Sequence, residues 1–243
     1  MINFKELSNR IDNWDQKIIL RYNGFGGKVT TDLFRFISFF GRETLWIFLI
    51  AFYLLIWYDP FFLSYISATF LTGVILILTI KQSVKRSRPY ERFKNGRIIV
   101  FEPKPTSRSF PSWHSYNVVS EGLLIGLIFI RSPWITILIL LFAIIVSFSR
   151  VQLGVHYPTD VISGFIFGIF GFIISIYLIA PLILTALRFI EQFVVYEIQY
   201  QQINSLLYEN VWYLVLCLAI FFFIGLLAFY KRIIEQFKKK KLN

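Results

Sequence analysis

Apolar positions along the chain form long unbroken runs separated by short polar breaks, with little of the alternation that marks a half-buried strand. Six runs, at about residues 41–58, 61–80, 114–131, 133–149, 160–184 and 211–230, approach the roughly 17–25 residues a helix needs to cross a bilayer. Asp59-Pro60 and Ser132-Pro133 predict tight hairpins between neighbouring runs. Trp46, Trp57, Tyr58, Trp134, Trp212, Tyr213 and Tyr230 fall near run ends, where aromatic belts sit. Upstream the pattern changes. Leu33, Phe36, Ile37 and Phe40 recur at helical spacing and predict a helix over 30–40 lying along the membrane surface. Asn23-Gly24 and Gly26-Gly27 mark a break before it, and Asn3, Asp12 and Thr31 are candidate caps. The segment 187–209 sets Glu191, Glu197 and Glu209 among apolar residues, as an interfacial helix or a long extension of the fifth run. Gly164 and Gly168, followed by Gly171, suit close helix packing.

These elements predict an all-α integral membrane protein with about six transmembrane helices. Its expected parts are an amphipathic, interfacial segment (1–42), a transmembrane core carrying the chemistry (43–186), and an interfacial segment, extra transmembrane helix and basic tail (187–243). Composition agrees: 56% of residues are apolar, 19% aromatic and only 16% charged, well below the charged share of a soluble domain. The lone cysteine, Cys217, excludes a disulfide within the chain.

The net charge of +11 changes the picture of partners. The bases flank apolar runs, so the expected partners are the bilayer and phosphate-bearing lipids rather than nucleic acid. If all six runs cross, 23 of the 25 Lys and Arg share the face of the termini and of the loops 81–113 and 150–159; Arg131 and Arg188 lie opposite. That asymmetry predicts a cytoplasmic position for this face.

Three polar blocks gather there: Lys81-Gln-Ser-Val-Lys-Arg-Ser-Arg88-Pro89, Pro111-Ser112-Trp113-His114, and Ser149-Arg150 through His156 to Asp160. Lys81, Arg88 and Arg150 can hold a tetrahedral dianion, Arg with a planar fork. Ser112 and the backbone amides at the start of the third run, Trp113 included, add donors. His156 and Asp160 are four apart, the spacing of one helical turn; a carboxylate on one ring nitrogen raises the basicity of the other. His156 is therefore a candidate nucleophile toward phosphorus and His114 a candidate general acid. The chain has only these two histidines. No cluster with metal-ligand spacing accompanies them, so cations rather than a metal or other cofactor are expected to stabilise the transferring group. The string GFGGKVT lacks the spacing of a phosphate-binding loop.

The ordered pattern K-x6-R-P, P-S-x-H and S-R-x5-H-x3-D resembles that of the type 2 phosphatidic acid phosphatases, over about residues 30–185. The resemblance implies a phosphohistidine on His156, assisted by Asp160. His114 would protonate the leaving alkoxide, and Lys81, Arg88, Ser112 and Arg150 would bind phosphate. It further implies a bacterial inner-membrane enzyme acting on a lipid phosphate monoester or diphosphate: phosphatidic acid, phosphatidylglycerol phosphate, a polyprenyl diphosphate or lipid A. Trp113 departs from the family's more familiar glycine and puts an indole at the pocket edge. Lys85, Arg86, Arg92, Lys94, Arg97, Lys104 and Arg108 could hold a second phosphate or form a solvated basic loop. The alternatives are a haloperoxidase using the same pocket for vanadate and a non-catalytic lipid-binding or transport protein.

Overall fold

The computed structural model describes residues 4–93, 96–195 and 197–240, with side chains for all of these except Phe4 and 231–240. Asn3 and Lys94 lie outside the described residues. Apart from one isolated antiparallel bridge, Trp57 to Ile203, the regular elements described are helical. They are α1 (Phe4–Tyr22), α2 (Gly27–Ile37), α3 (Glu43–Leu55), α4 (Pro60–Val84), α5 (Pro89–Arg92), α6 (Trp113–Leu123), α7 (Pro133–Gln152), α8 (Pro158–Ile174), α9 (Ala180–Glu191), α10 (Leu206–Glu209) and α11 (Val211–Lys240). A 3-10 turn, Ser38–Gly41, follows α2, and π turns follow α6 and α8 at Leu124–Phe129 and Ser175–Ile179.

Local chemistry sets the boundaries. The Asp59 carboxylate accepts the Phe62 N–H at 3.0 Å, just ahead of Pro60 at the start of α4. Ser132 and Pro133 open α7 in the same way. Gly154, at φ +78°, turns the chain away from α7; a side chain there would strike the Ile99 carbonyl and the Asn23 amide. The break at residues 23–26 separates α1 from α2, as the glycines predict. Two candidate caps are corrected. Asp12 lies inside α1, where it pairs with Arg92, and Thr31 lies inside α2, where it accepts from Gln152. The segment after the fifth run is helical only to Glu191; from 192 to 205 its described residues are irregular.

The chain divides into two compact units. One takes the residues up to Arg42 together with Gly73–Gly171; the other takes Glu43–Thr72 and everything from Phe172 onward. In the first, α6 packs on α7 and on the 3-10 turn, while α1 and α2 pack on α7. Residues 115–123 of α6 are all buried. Gly164 and Gly168 of α8 lie against Ser112, Ser115, Tyr116 and Val119 of α6, so the GxxxG pair brings two backbones together. A core of Ile19, Ile98, Val151, Tyr157 and Val161 joins α1, α7 and α8. In the second unit α3 packs on α11, with Phe48 and Phe221 ring centroids 5.0 Å apart. Hydrogen bonds from Tyr58 to Glu191 (2.7 Å) and from Gln201 to Asp59 (2.8 Å) tie the segment after α9 to the α3–α4 turn.

Among the described residues four helical stretches are long and apolar enough to cross a membrane: Pro60–Arg92, Pro133–Gln152, Pro158–Glu191 and Val211–Tyr230. Counting Gly27–Gly41 with Glu43–Leu55 as one broken span makes five. The third predicted run, 114–131, is the difference. Its first part, α6, carries Ser115, Asn117, Ser120 and Glu121 buried, and with the π turn it ends at Phe129, short of the length of the other four stretches. The other helices turn large apolar side chains outward, such as Leu138, Phe170, Trp212 and Phe222, while polar groups point in. This is the distribution of an integral membrane protein.

Candidate active site

All eight residues singled out in the three blocks belong to the first unit. Lys81 sits in the last turn of α4, buried, with Nζ donating to the Arg108 carbonyl at 2.5 Å. Arg88 precedes Pro89 of α5, in extended backbone. Its Nε donates to the Ser107 carbonyl (2.7 Å), and Nη1 donates to the Val155 carbonyl (2.8 Å) and lies 3.3 Å from His156 Nε2. Ser112 is the N-cap of α6, where its hydroxyl accepts from Ser115 Oγ at 3.0 Å. Its backbone N–H donates to the Asp160 carbonyl at 2.9 Å, which ties the second block to the third. His114, in the first turn of α6, packs against Gly41 and lies within electrostatic reach of Arg150, Arg42, His156 and Arg88. Trp113 stacks on Tyr116, with ring centroids 6.0 Å apart.

His156 stands ahead of α8, not on it, which corrects the expectation of one helical turn shared with Asp160. The two still meet: Nδ1 lies 3.5 Å from Asp160 Oδ2, longer than a good hydrogen bond. An arginine can only donate, so the Arg88 contact favours the tautomer in which His156 Nε2 accepts and Nδ1 carries the proton, facing Asp160 without a hydrogen-bond partner of its own. Nε2 thus carries the lone pair on the side lined by cations. Burial, with Arg88, Lys81 and Arg150 nearby, holds His156 well below the ordinary imidazole range, so the ring is neutral near neutral pH.

Asp160 is more heavily engaged than spacing alone suggests. Its Oδ2 accepts from Ser109 Oγ (2.5 Å) and from the Tyr157 N–H (2.9 Å), half of a capping box at the start of α8. Its Oδ1 accepts from Arg86 Nη1 at 2.6 Å. Arg150 differs too. Its guanidinium is gripped by Glu102 at 2.5 and 2.9 Å and bonded to Ser38, and only its buried Nε has no partner among the described residues. Burial pushes the Glu102 carboxyl up, but Arg150 outweighs it and holds the group below the usual carboxylate range.

Two loop bases are therefore not available for a second phosphate: Arg86 is committed to Asp160 and Asp15, and Arg92 to Asp12. Residue pattern alone missed Glu102, Asp15, Ser109 and Ser38. Glu102 had a signal, being the only acid between Phe93 and Ser112. Asp15 had none, since it looks like one more polar position of α1.

Fold and site together define a helical membrane protein with two histidines set among the cations Lys81, Arg88 and Arg150. The chain belongs to the PAP2 superfamily, whose model matches residues 57–184. It is 35% identical over 133 residues to an undecaprenyl-diphosphatase of Sulfolobus acidocaldarius, covering 55% of this chain and 63% of that protein. It is 48% identical over 63 residues to a lipid A 4'-phosphatase of Bacteroides thetaiotaomicron, covering 26% of this chain and 27% of that protein. The matches thus span less than two thirds of these relatives' own lengths. The crystal structure of a transmembrane PAP2-type phosphatidylglycerolphosphate phosphatase from Bacillus subtilis superposes with a TM-score of 0.53 at 22% identity, covering 78% of this chain and 90% of that one. At that identity the likeness speaks for the fold.

Proposed function

We propose that the protein hydrolyses a phosphate monoester or diphosphate of a membrane lipid through a phosphohistidine intermediate. The observation that carries this reading is the His156 ring, with Nε2 beside Arg88 and Nδ1 facing Asp160. In the first step the Nε2 lone pair attacks phosphorus, the bond from phosphorus to the leaving oxygen breaks, and His114 gives that oxygen its proton. In the second, His114 takes a proton from water as the water oxygen attacks phosphorus. The P–N bond breaks and inorganic phosphate leaves. Lys81, Arg88, Ser112 and the Trp113 amide hold the phosphoryl oxygens, joined by Arg150 where phosphate displaces Glu102 from its guanidinium, and the cations supply the charge stabilisation. Asp160 orients His156.

Polyprenyl diphosphate stands first among the substrates in this reading, because the relative matched over 133 residues is named for undecaprenyl diphosphate. Phosphatidic acid, phosphatidylglycerol phosphate and lipid A follow. The test is phosphate release by purified protein from each of these lipids, with chelator present. The expected result is activity in chelator that His156→Ala lowers by roughly 10³-fold or more. Equal activity of that variant would sink the mechanism, and lipid binding without release from any substrate would favour the non-catalytic alternative.

The same reading has six spans in a bacterial inner membrane and a cytoplasmic site. With Cys217 replaced by Ser, a cysteine at Lys104 is then protected from an impermeant reagent in spheroplasts, while one at Glu197 is labelled. The reverse pattern overturns the orientation.

A further inference from the structure

Arg86 falls within the spacer of K-x6-R, where a sequence pattern assigns it nothing. Its guanidinium bridges two buried carboxylates, donating from Nη1 to Asp160 Oδ1 and from Nη2 to Asp15 Oδ2, each at 2.6 Å. The guanidinium carbon lies 4.1 Å from the centroid of the Tyr157 ring. Asp15 comes from α1, far away in sequence. It also accepts the Thr159 N–H (2.9 Å) and hydroxyl (2.5 Å) in the first turn of α8. The Arg86 carbonyl accepts the Ser109 N–H at 3.0 Å, and Ser109 in turn donates its hydroxyl to Asp160. Arg86 and Ser109 thus converge on the Asp160 carboxylate from two segments, and α1 reaches it through the Asp15–Arg86 pair.

From this convergence we propose that Arg86 and Asp15 are positioning residues for the reaction, acting through Asp160 on His156. The inference rests on the reading of His156 as nucleophile. Arg86 holds Oδ1, which leaves Oδ2, shared with the Ser109 hydroxyl and the Tyr157 N–H, on the side of His156 Nδ1. Asp15 neutralises Arg86 and locks the start of α8, and with it the rotation of Asp160. The chain from the neutral His156 ring through the alternating charges of Asp160, Arg86 and Asp15 makes the N-terminal helix part of the catalytic unit. Neither residue touches the face of His156 that meets phosphate.

The charges have opposite sign, which separates electrostatic positioning from mere support. The groups facing His156 are Lys81 of α4, Arg88 before α5, His114 of α6, Arg150 of α7 with its partner Glu102, and Asp160 of α8. None of them changes in the variants below. Arg86→Gln removes a positive charge beside the His156–Asp160 pair, so protonation of that pair becomes easier and the acid limb of kcat/KM moves to higher pH. Asp15→Asn leaves Arg86 unneutralised, so the acid limb moves to lower pH.

The experiment uses the full chain in detergent, with undecaprenyl diphosphate as substrate and inorganic phosphate as product inhibitor. Gel filtration and thermal unfolding verify folding. The expected result is a kcat reduced about 10- to 100-fold in each variant, the range for a lost orienting partner, with KM and phosphate inhibition unchanged within about threefold. The two acid limbs shift oppositely, and Arg86→Lys, which keeps the charge, retains a limb near wild type. If Arg86→Gln or Asp15→Asn does not fold, Arg86→Lys decides: a limb displaced as far as a full charge loss would overturn the proposal. Shifts in the same direction would overturn it, as would wild-type kcat, or weakened phosphate inhibition at unchanged kcat. Activity of His156→Ala at wild-type level would instead remove the underlying mechanism, whatever Arg86 does.

Discussion

Glu102→Gln probes the grip on Arg150. In the present structure the guanidinium fork that phosphate would use is filled by a carboxylate, with contacts at 2.5 and 2.9 Å and side-chain exposures of 1% and 8%. Removing one partner of a buried pair costs about 3–5 kcal/mol, because the remaining charge is left uncompensated. Glutamine keeps one acceptor, so the lower figure of about 3 kcal/mol applies. For a chain of this size that lowers Tm by about 6–12 °C. Inorganic phosphate would then find a vacant fork: at a concentration 100 times its Kd it returns about 2.7 kcal/mol. The assay is thermal unfolding of detergent-purified protein, with and without phosphate. The variant is expected to melt well below wild type without phosphate and to gain more from it. The pH dependence has a definite sign. Glu102 titrates below its ordinary 4.5 in the folded state, so its stabilisation is present above that value and is lost as pH falls through the folded one. The gap between wild type and variant must close in acid. A variant that melts with wild type at neutral pH, or an equal phosphate shift in both, would refute the assignment of Glu102 as the occupant of the phosphate fork.

Gly168→Leu would place a Cβ 2.8 Å from Val119 Cβ and 2.9 Å from the Tyr116 carbonyl, so α6 and α8 must separate. A stability loss of about 1–3 kcal/mol is expected, against little for Gly225→Leu, where nothing lies within 4 Å; equal melting of the two variants refutes the packing. Because His156 is held well below 6.5, the acid limb of kcat/KM has its midpoint below pH 6.5, and a midpoint above it contradicts the buried neutral ring. The same shift makes folding stability fall as pH drops below about 6.5, where the unfolded chain takes up the proton first.

The motif residues were legible because each has a chemical identity that a lipid-facing helix does not tolerate idly. Lys81, Arg88, Arg150, His114 and His156 are costly at a membrane boundary unless they have work, and their order along the chain carried the rest. Helix ends were legible where Pro and a capping side chain coincide, at Asp59-Pro60 and Ser132-Pro133. The partners were not. Ser38 and Asp15 meet the site from 112 and 144 residues away and Glu102 from 48, and their contacts depend on how α1, the 3-10 turn and the loop before α6 return to it. Spacing misled at His156 and Asp160, because the i, i+4 rule assumes both residues are helical and α8 begins only at Pro158. At 114–131 the helix is less regular than the apolar length suggested: α6 ends at Leu123 and a π turn carries the chain on to Phe129.

The polar residues of α6 account for where the site lies. Ser115, Asn117, Ser120 and Glu121 follow one another along α6 and are all buried. Ser115 and Ser120 bond within this part of the chain, to Ser112 and the Asn117 carbonyl, Asn117 bonds outside it, and the Glu121 carboxyl oxygens have no partner among the described residues, so α6 is costly to expose to hydrocarbon and gains from enclosure by other helices. The small residues of α8 permit that enclosure on one side, since Gly164 and Gly168 admit the α6 backbone. On another side Gly41 of the 3-10 turn lies against His114, and Asn117 donates to the Gly41 carbonyl at 3.2 Å. Enclosing α6 fixes the position of its first turn, and that turn carries Ser112 as cap and His114 one step inside. The same packing brings the start of α8, with Asp160, onto the Ser112 N–H. The polar face of one helix and the glycines of its neighbour thus do more than stabilise the fold: they set the spacing between His114 and His156, the proposed acid and nucleophile. A substitution that relaxes the α6–α8 contact, such as Gly168→Leu, should therefore lower kcat as well as stability, even though it touches no residue of the pocket.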